Sequence, residues 1–184
     1  MSNNIDILLK FYKSKYYICN KIIIKNNKMH NNTIIKEIGM YFEDFIPGDI
    51  IYHAASKTIF ESDNNIFSLI TMNHHPVHTN IDYASHNQHG KVLVVGTLVF
   101  SLVVGITVPD ISGKAIANLM YENIEHLSPV FLNDTIYAKT EILEAKESNS
   151  KKDRGIIYVE TTAYNQDKED VLRFRRRVLV KRRG

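Results

Sequence analysis

The run from Val92 to Val108 is the most apolar stretch of the chain, and it decides what the rest can be built around. Gly96, Thr97, Ser101, Gly105 and Thr107 interrupt it. It falls short of the roughly 20 residues that a single membrane span needs. Glycines and hydroxyls suit a helix inside protein, closely approached by a neighbour, better than one in lipid. The expectation is a buried helix. If it begins near Gly96, its first backbone N–H groups have no partner within the helix and point into the adjoining space.

Beyond Pro109-Asp110-Ile111-Ser112-Gly113 the period shortens to two. From Thr135 to Leu143, Ile136, Ala138, Thr140 and Ile142 alternate with Tyr137, Lys139 and Glu141, as in a strand with one buried face. Residues 155–164 and 171–181 read the same way, separated by turns at 148–153 and 165–170, and 118–124 is a further candidate strand. Upstream, Pro47-Gly48-Asp49 is a turn signature before a strand over 50–59. A helix follows from near Ser62 to Met72, with Asp63 suited to the positive end of its dipole. A short helical turn is expected at 81–85. Strands that follow one buried helix describe an α+β domain whose antiparallel sheet wraps that helix.

Between the two helices lies Thr71-Met72-Asn73-His74-His75-Pro76-Val77-His78, followed by Asn80, Asp82, Tyr83 and Ala84. It packs three histidines, two carboxamides and a proline between apolar segments. Pro76 cannot sit inside a regular helix without losing a hydrogen bond, so the segment reads as a polar bend, and as a site candidate. Its rival reading is a His-rich surface loop. His74 and His78 are four apart, as on a helix face that could hold a metal, but Pro76 disrupts that helix and no carboxylate is spaced with them; no metal is expected.

With 184 residues, 44% hydrophobic and 23% charged, the chain has enough material for one soluble domain. One cysteine, Cys19, excludes an internal disulfide framework. A net charge of +3 does not by itself imply a nucleic-acid partner. The arginines at 173, 175, 176, 177, 182 and 183 alternate with Phe174, Val178 and Val180, which fits a strand with a solvated face. Residues 1–39 are rich in Asn and Lys and poor in acids. They read as a flexible extension, with an organelle-targeting peptide as the alternative. The compartment stays open between cytoplasm and mitochondrial matrix.

From about Tyr41 to Arg182 the chain resembles the MaoC-like dehydratases, a hot-dog-fold family related to the (R)-specific enoyl-CoA hydratases, nearest its mesaconyl-CoA hydratase and β-methylmalyl-CoA dehydratase branch. The residues that carry the likeness are Glu61-Ser62-Asp63-Asn64, Phe67-Ser68-Leu69-Ile70-Thr71-Met72-Asn73, Pro76-Val77-His78, Asp82-Tyr83-Ala84, Gly90-Lys91, Val103-Val104-Gly105, Asn118-Leu119, Asn133-Asp134-Thr135, Arg175-Arg176 and Val180-Lys181-Arg182. The resemblance implies a hydro-lyase for α,β-unsaturated or 3-hydroxy acyl-CoA thioesters. It implies at least a homodimer, a CoA ester as substrate and no further cofactor, nucleic acid or membrane.

In the family an Asp and a His five positions apart flank the substrate's double bond, with an Asn-Pro pair between them. Here these positions hold Asn73, His75, Pro76 and His78, so Asn stands where the family has Asp. Gly96 matches the glycine whose N–H polarises the thioester carbonyl. Asn133 replaces a glycine before Asp134, and Asn is one of the few residues that accepts positive φ. The implied roles are His78 as base and acid, Asn73 as water orienter and Gly96 N–H as oxyanion donor. His74, His75 or Asp63 is left to compensate for the missing acid, and some of the arginines to meet the CoA phosphates. Two other functions remain open: a hot-dog thioesterase, with His78 or Asp63 directing water to the carbonyl carbon, and a non-catalytic acyl-CoA-binding subunit.

Overall fold

The computed structural model describes residues 38–184. The expectations for the extension and for targeting fall almost wholly outside these residues. A 3-10 turn at Phe42–Asp44 precedes two short strands, β1 (Ile50–Tyr52) and β2 (Lys57–Thr58). Three helices follow, α1 (Glu61–Ile70), α2 (Pro76–Thr79) and α3 (Ile81–Ser85), and then the apolar helix α4 (Gly96–Ile106). The C-terminal part is four long strands, β3 (Ala115–His126), β4 (Thr135–Glu147), β5 (Arg154–Tyr164) and β6 (Asp170–Lys181). The strand order is β1-β4-β5-β6-β3, with β2 also on β4, and every pairing is antiparallel. An antiparallel sheet laid around one apolar helix is the expected hot-dog arrangement.

Alternation decides which face each long strand buries. On β4, Ile136, Ala138, Thr140 and Ile142 point inward, and on β6 Phe174, Arg176, Val178 and Val180 do. Val99, Val103 and Ile106 of α4 pack against Ile136, Ala138, Ala163, Leu172 and Phe174. A second cluster gathers Phe42, Phe45, Ile111, Ile142, Ile157, Val159, Val178 and Val180 towards the other end of the sheet. Gly48, with φ of 94°, forms the turn that Pro47-Gly48-Asp49 announced. Asn133 has a φ of 74°, the left-handed conformation expected where the family has glycine.

The strand expected over 50–59 is two strands. The break falls at His53, whose ring turns inward and is fully buried. Its Nδ1 lies 2.7 Å from Asp110 Oδ2, and its Nε2 lies 2.8 Å from Thr140 Oγ1. Both nitrogens of the buried imidazole are thus satisfied, and His53 N–H still bonds Ala138 O at 3.0 Å, so the chain leaves the ladder only beyond it. The strand expected over 118–124 runs longer, as β3. It lies at the sheet edge and leaves Ile116, Leu119, Met120 and Ile124 exposed.

Candidate active site

Helix α1 starts with the Asp63 carboxylate accepting from the Phe60 N–H at 2.9 Å and from Lys57 Nζ at 2.7 Å. The Lys57 ammonium and the Phe60 N–H together hold the Asp63 carboxyl below its usual range. The chain leaves α1 through Met72, whose φ of 58° turns it sharply, and Asn73 N–H bonds back to Ser68 O at 3.0 Å. His75 then caps α2, accepting from Val77 N–H at 3.2 Å. Pro76 occupies the first helical position, where its missing N–H costs nothing. The polar bend is therefore the start of a one-turn helix, and that turn presents His78.

The ring of His78 is oriented by Leu93. His78 Nδ1 lies 2.8 Å from the Leu93 carbonyl oxygen, and a carbonyl can only accept, so Nδ1 carries the hydrogen. In the neutral ring the lone pair then belongs to Nε2, the tautomer a base requires. Leu93 N–H in turn donates to Val77 O at 3.1 Å. Asn64, fully buried on α1, completes the frame. Its Nδ2 donates to His78 O at 2.8 Å, and its Oδ1 accepts from Val95 N–H at 3.0 Å.

Val95 precedes α4, and Gly96 is the first residue of that helix. Gly96 N–H has no partner among the described residues, and the helix dipole stands behind it. His78 and Gly96 line one cavity of about 400 Å³, together with His89, Val99, His126 and Val130. Its lining carries three imidazoles and no carboxylate. Gly96 is closely approached by the ring of His126: a Cβ there would lie 2.9 Å from His126 Cε1 and 3.0 Å from His126 Nε2, so the ring would have to shift.

The structure brings His78 and Gly96 together. Asn73 is half-buried and is not among the residues that line the cavity, and neither are His75 and Pro76. The His75 ring is exposed, edge-on to His78 at 6.2 Å and to Tyr83 at 6.1 Å. Asp63 lines a separate cavity of about 190 Å³ with Ile66, Phe67 and Leu98. His89 and His126 were not singled out from sequence, because nothing in their spacing ties them to Asn73-to-His78 or to Gly96. Most of the arginines are engaged: Arg173 with Glu125 at 2.7 Å, Arg175 with Glu160 at 2.6 Å, Arg182 with Glu43 and Glu147 at 2.8 Å, and Arg183 with Asp44 at 2.6 Å. Among the described residues, no group of three or more His, Cys, Asp or Glu is placed to hold a metal ion. No helix there is long and apolar enough to cross a membrane.

An oriented imidazole sharing a carboxylate-free cavity with an open helix N-terminus suits proton transfer beside a developing oxyanion. A family model described as mesaconyl-CoA hydratase matches residues 26–184. This chain belongs to that family. It is 34% identical over 145 residues to the mesaconyl-CoA hydratase of Cereibacter sphaeroides, a match covering 79% of this chain and 42% of the relative. It is 32% identical, again over 145 residues, to the β-methylmalyl-CoA dehydratase of Chloroflexus aurantiacus, covering 79% of this chain and 41% of that one. Among solved structures, a MaoC domain protein dehydratase from Chloroflexus aurantiacus superposes with a TM-score of 0.76 at 30% identity, over 83% of this chain and 43% of the other. The chain thus spans less than half the length of these mesaconyl-CoA hydratase-type relatives.

Proposed function

We propose that this chain adds water to an α,β-unsaturated acyl-CoA thioester, or removes it from the 3-hydroxy counterpart. The observation that carries the reading is the bond from His78 Nδ1 to Leu93 O, which leaves Nε2 as the basic nitrogen of a residue sharing a cavity with Gly96. His78 Nε2 takes a proton from water as the oxygen adds to the β-carbon. Gly96 N–H, backed by the helix dipole, stabilises the negative charge that reaches the thioester oxygen. The carboxamide of Asn73 cannot take a proton at any working pH, so its part is limited to hydrogen bonding. The names of the relatives favour short, branched dicarboxylic thioesters such as mesaconyl-CoA as substrates.

The active form in this reading is a homodimer joined along β3. An edge strand with unpaired backbone groups and a row of exposed apolar side chains is a ready pairing surface, and Ile116, Leu119, Met120 and Ile124 supply that row. The purified protein is expected to consume crotonyl-CoA or mesaconyl-CoA with loss of the enoyl absorbance, and to run as a dimer in sedimentation. Release of free thiol from a saturated acyl-CoA would instead mark a thioesterase, and tight thioester binding without turnover a binding subunit.

A further inference from the structure

Hydration moves two protons, one off water and one onto the α-carbon; the family resemblance leaves both to His78, yet a second group in the cavity can take the second. Asn73 cannot supply the second, and Asp63 lines a different cavity. The cavity holding His78 and Gly96 has two other titratable groups, His89 and His126. They are not equivalent. The His89 ring leans edge-on against Phe131 at 5.7 Å. The His126 ring lies against Gly96 itself, its Cε1, Nε2 and Nδ1 falling 2.9, 3.0 and 3.5 Å from where a Cβ on that glycine would be. No described residue hydrogen-bonds the His126 side chain, so both ring nitrogens are available.

Resting on the hydratase reading above, we propose that His126 is the second catalytic residue, the acid that protonates the α-carbon. A thioester oxygen that accepts from Gly96 N–H has its α-carbon one bond beyond the carbonyl carbon. A ring packed beside Gly96 lies next to that carbonyl, and in this assignment it serves the α-carbon while His78 serves the β-carbon. In hydration His126 starts as the imidazolium and His78 as the neutral ring. His78 Nε2 accepts a proton from water as the C–O bond forms at the β-carbon, and the π electrons pass to the α-carbon and thioester oxygen. The C–H bond at the α-carbon then takes its proton from His126. The turnover ends with His78 protonated and His126 neutral, and exchange of one proton with solvent resets the pair. Dehydration runs the same steps in reverse. The titratable groups around His126 are His78 and His89 in the cavity wall and its chain neighbour Glu125, which is bonded to Arg173 of β6.

The sign of the pH dependence follows from these roles. Hydration needs neutral His78, so the rate falls as pH drops, and it needs protonated His126, so the rate also falls as pH rises. The test is steady-state hydration of crotonyl-CoA and mesaconyl-CoA by the full chain, wild type beside H126Q and H126A, across pH 5 to 9. The wild type is expected to give a bell-shaped kcat/KM profile. H126Q should lose kcat by about a hundredfold or more, the usual worth of a general acid, with KM little changed and the alkaline limb gone. Imidazole added to H126A should restore part of the rate, an effect that a purely structural histidine would not show. If H126Q keeps its rate within about threefold and retains both limbs, His126 is not the acid, while the hydratase reading stands. Absence of turnover in the wild type overturns both.

Discussion

The backbone carbonyl of His78 and the backbone N–H of Val95 are joined by the two ends of one side chain, the buried carboxamide of Asn64, at 2.8 Å and 3.0 Å. His78 and Gly96, the proposed base and oxyanion donor, come from two different helices, and this side chain on a third helix sets their spacing. Removing it in N64A strands a carbonyl and an N–H, each worth about 1–3 kcal/mol when buried without a partner. N64A is therefore expected to lose about 2–6 kcal/mol in urea unfolding. Its kcat should fall more than tenfold where the protein is still folded. A variant with wild-type stability would show that water replaces the carboxamide.

Gly96 is constrained by its neighbour and not by its own backbone. G96A places a methyl group 2.9 Å from His126 Cε1, so the ring must move. Because His126 is exposed at the end of an edge strand, it can yield with little loss of fold. The expected outcome is a change in Tm of only a few degrees with a fall in kcat of about tenfold or more. Unchanged kcat would mean that the N-terminal turn of α4 tolerates a side chain.

Asp63 gives a pH-dependent contribution of known sign. Lys57 and the Phe60 N–H hold its carboxyl below the usual range in the folded state. The stability it adds is fully present above the unfolded carboxylate value of about 4 and is lost as pH falls through the lower folded value. D63A should therefore be less stable than wild type by about 1 kcal/mol at pH 7, the usual worth of a helix cap. The gap should close in melts carried down from pH 4 to pH 2. A gap that persists at pH 2 would assign the effect to packing.

Arg176 is a buried cation with few partners. Its side chain is inaccessible, and Nη2 donates to Thr107 Oγ1 at 2.7 Å, while Nε and Nη1 have no hydrogen-bond partner within reach among the described residues, although nearby Tyr121 favours the charge. Burial lowers its pKa from the ordinary arginine value. R176M keeps most of the volume and removes the desolvated charge, and is expected to be neutral or to gain about 1–2 kcal/mol in denaturant unfolding. A loss beyond about 3 kcal/mol would show that the guanidinium is paired in the assembled protein.

Periodicity made the architecture legible wherever one face of an element is buried. β4, β5 and β6 lie within a few residues of where alternation put them, and α4 begins at Gly96. The break within 50–59 went unread, as did the burial of His53, whose ring partners Asp110 and Thr140 are remote in sequence and carry no local signal. Pro76 read as a bend because a one-turn helix is too short to show a period; only its cap at His75 reveals it. His78 and Gly96 were legible through family resemblance. His126 was not, because its place beside Gly96 depends on β3 running along the sheet edge past the start of α4. Asn64 belonged to a matching motif, yet its task as a bridge shows only when three helices are assembled.

The most direct test of the account is the ratio of hydration rates of wild type and H78A on mesaconyl-CoA and crotonyl-CoA, followed by enoyl absorbance at pH 7.5 with equal folded protein confirmed by circular dichroism. With His78 Nε2 as the base that deprotonates water, H78A should lose kcat by about a thousandfold, within the range general-base catalysis supplies. Wild-type turnover that survives in H78A within about tenfold would contradict it, and the base would have to be sought elsewhere in the cavity.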